Sequence, residues 1–132
     1  MEIWKILKQH KKSTTPERKQ LFKKMSEFHI FSARDLESAF PEIPRATIFR
    51  NIKLFSEIGA LRRITLDTGS EQYEVNDRAN HHEHMMCKIC GKILSFESDF
   101  ICKLLNKVAK NANFHMTEHS VNIIWNCKSC NS

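Results

Sequence analysis

The densest group of metal-ligating side chains in this sequence lies in residues 81–91. Three imidazoles, one carboxylate and two thiols occur there within ten positions. Thiolates and neutral imidazoles are ligands for zinc and other late first-row metals. An ordinary core has no need of so many such groups, so metal binding is the first hypothesis for this chain. The groups are His81, His82, Glu83, His84, Cys87 and Cys90.

Two Cys-x-x-Cys turns give the strongest single signal. Cys87 and Cys90 form the first turn, with Gly91 after it, and Cys127 and Cys130 form the second. Each turn can place two thiolates on one ion, and two turns complete a tetrahedral site without an open position, which is typical of structural zinc. The alternative is two unrelated pairs, one of them redox-active.

The histidine run can serve two further sites. Alternate side chains of an extended segment point to opposite sides, so His81 and Glu83 share one side and His82 and His84 share the other. One strand would then contribute ligands to two different ions.

Three residues elsewhere in the chain could complete these sites. His119 and Cys102 are available to one of them, and Glu74 is a candidate for the other. Taken alone, His119 fits a hydrogen-bonded core histidine and Cys102 a small buried helix residue. The nearby histidine run favours metal binding by both.

Length, composition and charge limit the classes of protein to which this chain could belong. The 132 residues suffice for one ordinary domain or two small ones. No apolar run approaches the roughly 20 residues of a membrane span, and the N-terminus lacks a signal-peptide pattern, so we expect a cytoplasmic protein with no membrane partner. Five cysteines in that compartment indicate ligands or reactive thiols rather than disulfides. The net charge of +6 permits an acidic partner such as DNA.

Residues 1–75 have the pattern of a small helical domain that ends in a hairpin. Residues 2–12 form a short basic amphipathic segment, and Thr15-Pro16, Ser32 and Gly59 are helix start and stop signals. Three short helices before a hairpin predict a winged helix-turn-helix. The alternative is a small helical domain without a nucleic-acid role. The predicted elements are helices at 16–28, 33–39 and 45–58 and strands at 61–66 and 72–75, with a turn at 67–70.

The third of these helices is the element expected to enter the major groove. One side should be buried, with Ile48, Ile52, Phe55 and Ile58 at helical spacing. The other side carries the candidate DNA contacts, together with Asn51. We expect Thr47 and Arg50 to reach bases and Arg18, Lys11, Lys12 and Lys53 to reach phosphates. Arg45 and Phe49 complete the set.

The remainder of the chain predicts a small α/β domain. Residues 76–80 are polar and have no periodicity, and they are predicted to form a hinge. Residues 93–96 predict a strand, and Ser98 caps a helix to about Asn111 with an apolar stripe. Residues 116–125 predict a last strand, on which His119 shares a face with Trp125. The stripe of the helix consists of Ile101, Leu104, Leu105 and Val108.

The chain resembles the ferric uptake regulator (Fur) family of metal-dependent transcription factors along nearly its whole length. Five segments carry the resemblance, in this order along the chain. They are Thr15-Pro16-Glu17-Arg18, Arg45-Ala46-Thr47-Ile48-Phe49-Arg50, His81-His82-Glu83-His84-x-x-Cys87-x-x-Cys90-Gly91-Lys92, Thr117-Glu118-His119-Ser120 and Cys127-x-x-Cys130.

The resemblance implies an α+β homodimer that is not an enzyme. Each subunit would have a winged-helix DNA-binding domain at 1–75, a hinge at 76–80 and a metal-binding dimerisation domain at 81–132. The implied cofactors are a structural Zn²⁺ and a regulatory Fe²⁺, Zn²⁺ or Mn²⁺. The implied ligands are Cys87, Cys90, Cys127 and Cys130 for the structural site; Glu74, His82 and His84 for the regulatory site; and His81, Glu83 and His119 for a further site.

Four positions depart from the family pattern. His29 is one residue out of register with the usual histidine of the regulatory site, and it is a candidate ligand if the loop is longer by one. A usual glutamate is replaced by Ser95. Another is replaced by Cys102, whose thiolate would favour softer metals such as zinc over Fe²⁺ or Mn²⁺. Phe49 replaces a tyrosine and keeps an apolar contact to a thymine methyl group.

Three functions follow as hypotheses. In the first, a repressor dimer binds double-stranded operator DNA when its regulatory site is loaded with metal, and it binds no small molecule beyond metal ions. The metal would fix the separation of the two recognition helices. Its ligands would be Glu74, His82, His84 and His29. In the second, a peroxide sensor of the same fold oxidises a ligand histidine or Cys102. The third, a zinc hydrolase, lacks the H-E-x-x-H helix and a large cleft.

Overall fold

The computed structural model describes residues 2–28, 30–64, 70–76, 82–117 and 119–130. The chain forms two compact units, Met1–Arg78 and Ala79–Ser132. Both units contain helix and strand in separate segments, which confirms the predicted α+β class. Within the described ranges, no helix is long and apolar enough to cross a membrane.

The described residues of the first unit form four helices and a two-stranded antiparallel sheet. Three helices were predicted, and that number was wrong, because the basic N-terminal segment is itself a helix that buries Ile3 and Leu7. The predicted strand at 61–66 and its turn run into residues 65–69, which lie outside the described residues. The elements are α1 (Ile3–Gln9), α2 (Pro16–Glu27), α3 (Ala33–Ala39), α4 (Arg45–Glu57), β1 (Leu61–Ile64) and β2 (Gln72–Val75).

Local signals set the ends of these helices. The Thr15 side chain accepts a hydrogen bond from the Arg18 backbone N–H at 3.1 Å, and Pro16 occupies the first helical position of α2. Ser32 and Asp35 form a capping box at the start of α3. Gly59 follows α4 with a φ of +77°, a left-handed conformation that other residues rarely adopt.

The helices of the first unit pack around one apolar core. Ile48, Ile52 and Phe55 are buried as predicted, and the Phe55 ring meets the Phe22 ring edge-on at 5.4 Å. Ile58 is only partly buried at the helix end. Phe31 pairs with Tyr73 through two backbone hydrogen bonds, which attach the segment before α3 to the hairpin. Helix α4 thus packs against the core with only one of its sides.

In the part of the second unit that the structure describes, the chain forms a three-stranded sheet and one helix. Its elements are β3 (Glu83–Cys87), β4 (Ile93–Phe96), α5 (Asp99–Asn111) and β5 (Asn122–Trp125). The strand order is β4-β3-β5, with β3 antiparallel to β4 and parallel to β5. The prediction of a last strand from Met116 was wrong, because pairing with β3 begins only at Asn122, opposite His84. His119 therefore precedes the strand.

Helix α5 leaves much of its apolar stripe accessible in the single chain. None of its residues is buried, and Leu104 and Val108 are each about half exposed. The described apolar side chains that are buried in this unit are Met86 and Cys87. The second unit therefore has much less core of its own than the first.

Candidate metal centres

The parallel pairing of β3 and β5 brings the two Cys-x-x-Cys turns together. Cys87 ends β3 opposite Trp125, and Cys127 follows two residues after Trp125. Neighbouring parallel strands end at the same edge of a sheet, so both turns emerge there. Gly91 closes the first turn with a φ of +75°.

The four thiols have the spacing of a zinc site. Their sulfur atoms all lie within 4.8 Å of one another, and none forms a disulfide. The Cys90 and Cys127 sulfurs are 3.8 Å apart. Four thiolates at about 2.3 Å from a tetrahedral zinc lie about 3.8 Å from each other. The donor set therefore fits structural zinc, with Cys87, Cys90, Cys127 and Cys130 as its ligands.

Hydrogen bonds from the backbone favour ionisation of one of these thiols. Hydrogen bonds from the backbone N–H groups of Cys127, 3.2 Å away, and of Cys90 lower the pKa of the Cys87 thiol to about 6. Side-chain hydrogen bonds with Cys127 and Cys90 raise the pKa of Cys130 to about 12. The hydrogen bonds within the cluster thus favour the thiolate of Cys87 and disfavour that of Cys130.

A second cluster joins Glu83, Cys102 and His119, whose ligand atoms lie within 4.8 Å of one another. His119 Nε2 is 3.0 Å from Glu83 Oε1 and 3.2 Å from Cys102 Sγ. Glu83 is almost fully buried, and its Oε2 accepts a hydrogen bond from the Val121 backbone N–H at 2.6 Å. No sequence pattern predicts this backbone contact, which orients the carboxylate.

The proposed regulatory ligands lie on different elements. Glu74 is buried on β2, where it forms an ion pair with Arg62 on β1. Arg62 is opposite Glu74 in the antiparallel register, so hairpin pairing could have revealed this partner. The ring of His84, in β3, is 5.3 Å from the ring of His82, which directly precedes the strand. His29, the further candidate for this site, and His81, a candidate for the site with Glu83 and His119, lie outside the described residues.

Comparisons with known proteins identify the family of this chain. The model of the ferric uptake regulator family matches residues 2–124. The chain belongs to the ferric uptake regulator family. It is therefore a metal-dependent transcriptional regulator rather than an enzyme, and the hydrolase hypothesis is set aside.

Individual Fur relatives cover most of the chain. The ferric uptake regulation protein of Campylobacter upsaliensis is 30% identical over 96% of this chain and 85% of its own length. The peroxide-responsive repressor PerR of Staphylococcus aureus (strain USA300) is 28% identical over 88% and 80%. The solved structure of the Francisella tularensis ferric uptake regulator with iron has a TM-score of 0.76 and 29% identity, covering 91% of this chain and 95% of that one.

Helix α4 is the element expected to enter the major groove. Phe49 is 45% exposed, Arg50 and Lys53 are exposed, and Thr47 is half-buried. The Arg45 guanidinium lies over the Phe49 ring at 5.3 Å and pairs with Glu37 at 2.9 Å. Most of the expected contact residues are therefore on one accessible side of the helix.

Two residues of this surface differ from expectation. Asn51, placed on the exposed side by sequence, is buried, and its amide donates to the Thr47 carbonyl at 2.9 Å. Arg18 donates to Asn51 Oδ1 at 3.3 Å and to the Ser13 hydroxyl at 2.9 Å. Arg18 thus links the start of α2 to α4, in addition to its predicted role toward phosphates.

Proposed function

We propose that the chain is a homodimeric repressor that binds double-stranded operator DNA when its regulatory metal site is loaded. The observation that carries this proposal is α4, whose buried side packs in the core while Phe49 and Arg50 remain exposed. A helix that is packed in this way can enter a major groove with its exposed side while its buried side stays in the core. Because operator DNA would be the target, we propose that the chain acts in the cytoplasm.

A second copy of the chain is the occupant we propose for the exposed apolar side of the second unit. Leu104 and Val108 of α5 and Ile124 and Trp125 of β5 are each about half exposed. Apolar surface of this kind on a small unit marks an association site. A dimer also supplies the two recognition helices that a pair of operator half-sites requires.

The regulatory ligands we propose are Glu74, His82 and His84, with His29 as a further candidate. When bound, the divalent ion (Fe²⁺, Zn²⁺ or Mn²⁺) supplies the positive charge that holds a carboxylate and imidazoles together. Glu74 already has a buried position and a cationic partner, so its carboxylate is fixed before any ion arrives. Metal and DNA should then increase each other's affinity by the same factor.

Operator binding is tested by titrating labelled promoter DNA with zinc-replete protein, with and without added Fe²⁺, Mn²⁺ or Zn²⁺, at fixed salt. We expect added metal to tighten binding, and Glu74→Gln to abolish that gain. Arg50→Ala should weaken specific binding by roughly 10–100-fold, about 1–3 kcal/mol. Lys53→Ala is the matched control on the same helix, expected to weaken all sequences alike. Equal affinity with and without metal would refute the proposal.

Peroxide sensing is the second candidate, favoured by the similarity to the Staphylococcus aureus repressor and by a thiol beside an imidazole at Cys102 and His119. Peroxide treatment of the Fe²⁺-loaded protein should then add about 16 Da, one oxygen atom, to a ligand histidine or to Cys102. An unmodified chain that retains DNA binding would exclude it.

A further inference from the structure

The carboxylate of Glu74 already has a cation beside it. Arg62 lies opposite Glu74 in the antiparallel register of β1 and β2. Its Nε donates to Glu74 Oε1 at 2.9 Å, and its Nη2 donates to the same oxygen. The Glu74 side chain is 2% exposed and that of Arg62 is 27% exposed, so water and salt screen this pair only weakly. Charge-assisted hydrogen bonds of this kind are among the strong ones in proteins.

A metal ion bound at this carboxylate would lie close to the charge of that guanidinium. The regulatory site proposed above uses Glu74 as a ligand, and the present inference rests on that proposal. We propose that Arg62 balances the charge of Glu74 before metal binds and competes with the regulatory ion for this carboxylate. Arg62 would then set the concentration of free metal at which the regulatory site fills.

The two cations compete for electrostatic reasons. The guanidinium of arginine stays charged in proteins, so it does not avoid the repulsion by losing its proton. A dication that binds Glu74 comes close to this charge in surroundings where the effective dielectric constant is far below that of water. Each N–H of Arg62 on Oε1 also occupies a lone pair through which the carboxylate could bind metal. Arg62 therefore lowers the affinity of the site for metal.

Arg62 can move away from Glu74 when metal binds. Its side chain is partly exposed, unlike that of Glu74, so the guanidinium can turn toward water. Arginine side chains commonly place the charged end in water while the aliphatic part remains packed. The buried carboxylate then has a cation in both states, either Arg62 or the metal, and avoids the large cost of an unpaired buried charge.

The neighbouring pair of Arg63 and Glu71 provides a matched control. Arg63 Nη2 is 3.0 Å from Glu71 Oε1, but both side chains are more than half exposed. Exposed pairs of this kind contribute little, because water and salt screen them. Arg63→Gln therefore removes one positive charge from the same strand and leaves the pair of Arg62 and Glu74 in place.

The test measures Mn²⁺ binding to zinc-replete protein, with free Mn²⁺ followed by electron paramagnetic resonance. The pH is about 8, where free carboxyl and imidazole groups have lost their protons. Mn²⁺ prefers oxygen and nitrogen ligands, so zinc keeps the thiolate site. Arg62→Gln should tighten Mn²⁺ binding by at least about tenfold. Arg63→Gln should change it by less than about threefold. Arg62→Thr is a second neutral variant that suits a strand, and it should also tighten binding.

A double-mutant cycle shows whether the gain depends on Glu74. In the Glu74→Gln background, Arg62→Gln should no longer tighten binding, because there is no carboxylate to compete for. Circular dichroism identifies the folded variants. Unchanged or weaker binding in the folded neutral variants of Arg62, or an equal gain in Arg63→Gln, would overturn the role of Arg62 even where Glu74→Gln loses Mn²⁺. Undiminished binding in Glu74→Gln would instead refute the proposed regulatory site, and this inference with it.

Discussion

At the scale of single residues, Tyr73 offers a direct probe, because it is the only tyrosine in the sequence. Burial of its phenol, followed by a hydrogen bond to Glu71 at 2.5 Å and the Glu71 charge, raises its pKa to about 12. The unfolded phenol ionises near pH 10. The contribution of Tyr73 to the free energy of unfolding should therefore be constant below pH 10 and decrease as the pH rises from about 10 to about 12.

The ultraviolet absorbance of tyrosinate measures this pKa in the folded protein. Glu71→Gln removes the negative charge but leaves the burial, so it should lower the pKa only part of the way toward 10. Folded wild-type protein that gains tyrosinate absorbance near pH 10 would contradict the expectation.

Asn51 should be important for stability, although it is polar. Its side chain bonds to the Thr47 carbonyl and to Arg18, and it is buried. Asn51→Ala should lower the free energy of unfolding by about 1–3 kcal/mol, because two partners lose their hydrogen bonds. Urea denaturation measures this change. Lys53→Ala, exposed on the same helix, should change it by less than about 0.5 kcal/mol. Equal effects of the two substitutions would argue against this role.

The sequence predicted the burial of α4 residues from their spacing and missed Asn51 for a physical reason. Residue 51 lies three positions after Ile48 and falls on the edge of the buried stripe. Its polar side chain suggested the exposed side. Arg18, 33 residues earlier, supplies one of the two hydrogen bonds that make its burial favourable, and this distant partner is not visible in the local pattern.

At the scale of secondary-structure elements, the start of α3 depends on a two-way cap. Ser32 Oγ accepts from the Asp35 N–H, and the Asp35 carboxylate accepts from the Ser32 N–H at 2.7 Å. Ser32→Ala should cost about 1 kcal/mol and lower the melting temperature, since one N–H of the first turn loses its partner. Ser38→Ala, exposed within the same helix, is the control and should not destabilise. A loss of equal size in the control would point away from capping.

Helix ends were predictable because capping residues act locally, but the length of β5 was not. Residues from Met116 alternate as a strand would, yet β5 starts at Asn122, where a partner strand is available. The extent of a strand is fixed by its neighbour in the sheet, which a single segment does not contain. His119 could for this reason be identified as a ligand candidate without its place in the fold being known.

At the scale of the whole molecule, the two units should differ in their dependence on zinc. The first unit has a large apolar core, whereas the second buries few apolar side chains. Structural zinc contributes on the order of 10 kcal/mol in small domains, comparable to the entire stability of a domain. A strong chelator should therefore unfold the second unit and leave the first folded.

Hydrogen exchange followed by mass spectrometry resolves this difference. With chelator, amides of β3, β4 and β5 should lose protection while those of α2 and α4 keep it. Addition of excess Zn²⁺ with the chelator is the control and should restore protection. Uniform loss across both units, or no loss in the sheet, would show that the zinc does not act in this way.

The ligands of the Cys₄ site could be predicted from the sequence because two Cys-x-x-Cys turns are compatible with very few kinds of metal site. The exposure of α5 could not be predicted in the same way. An apolar stripe at helical spacing looks identical whether its partner is the same chain or a second copy.

The parallel pairing of β3 with β5 also has a consequence for folding kinetics. The β3–β4 hairpin is local and can form early, whereas Cys87 and Cys127 are 40 residues apart and must wait for a long loop to close. Zinc would then bind all four thiolates only after the rate-limiting step of folding. Interactions made that late leave the folding rate nearly unchanged and slow unfolding instead. We expect zinc to act on this protein chiefly as a determinant of its lifetime in the folded state.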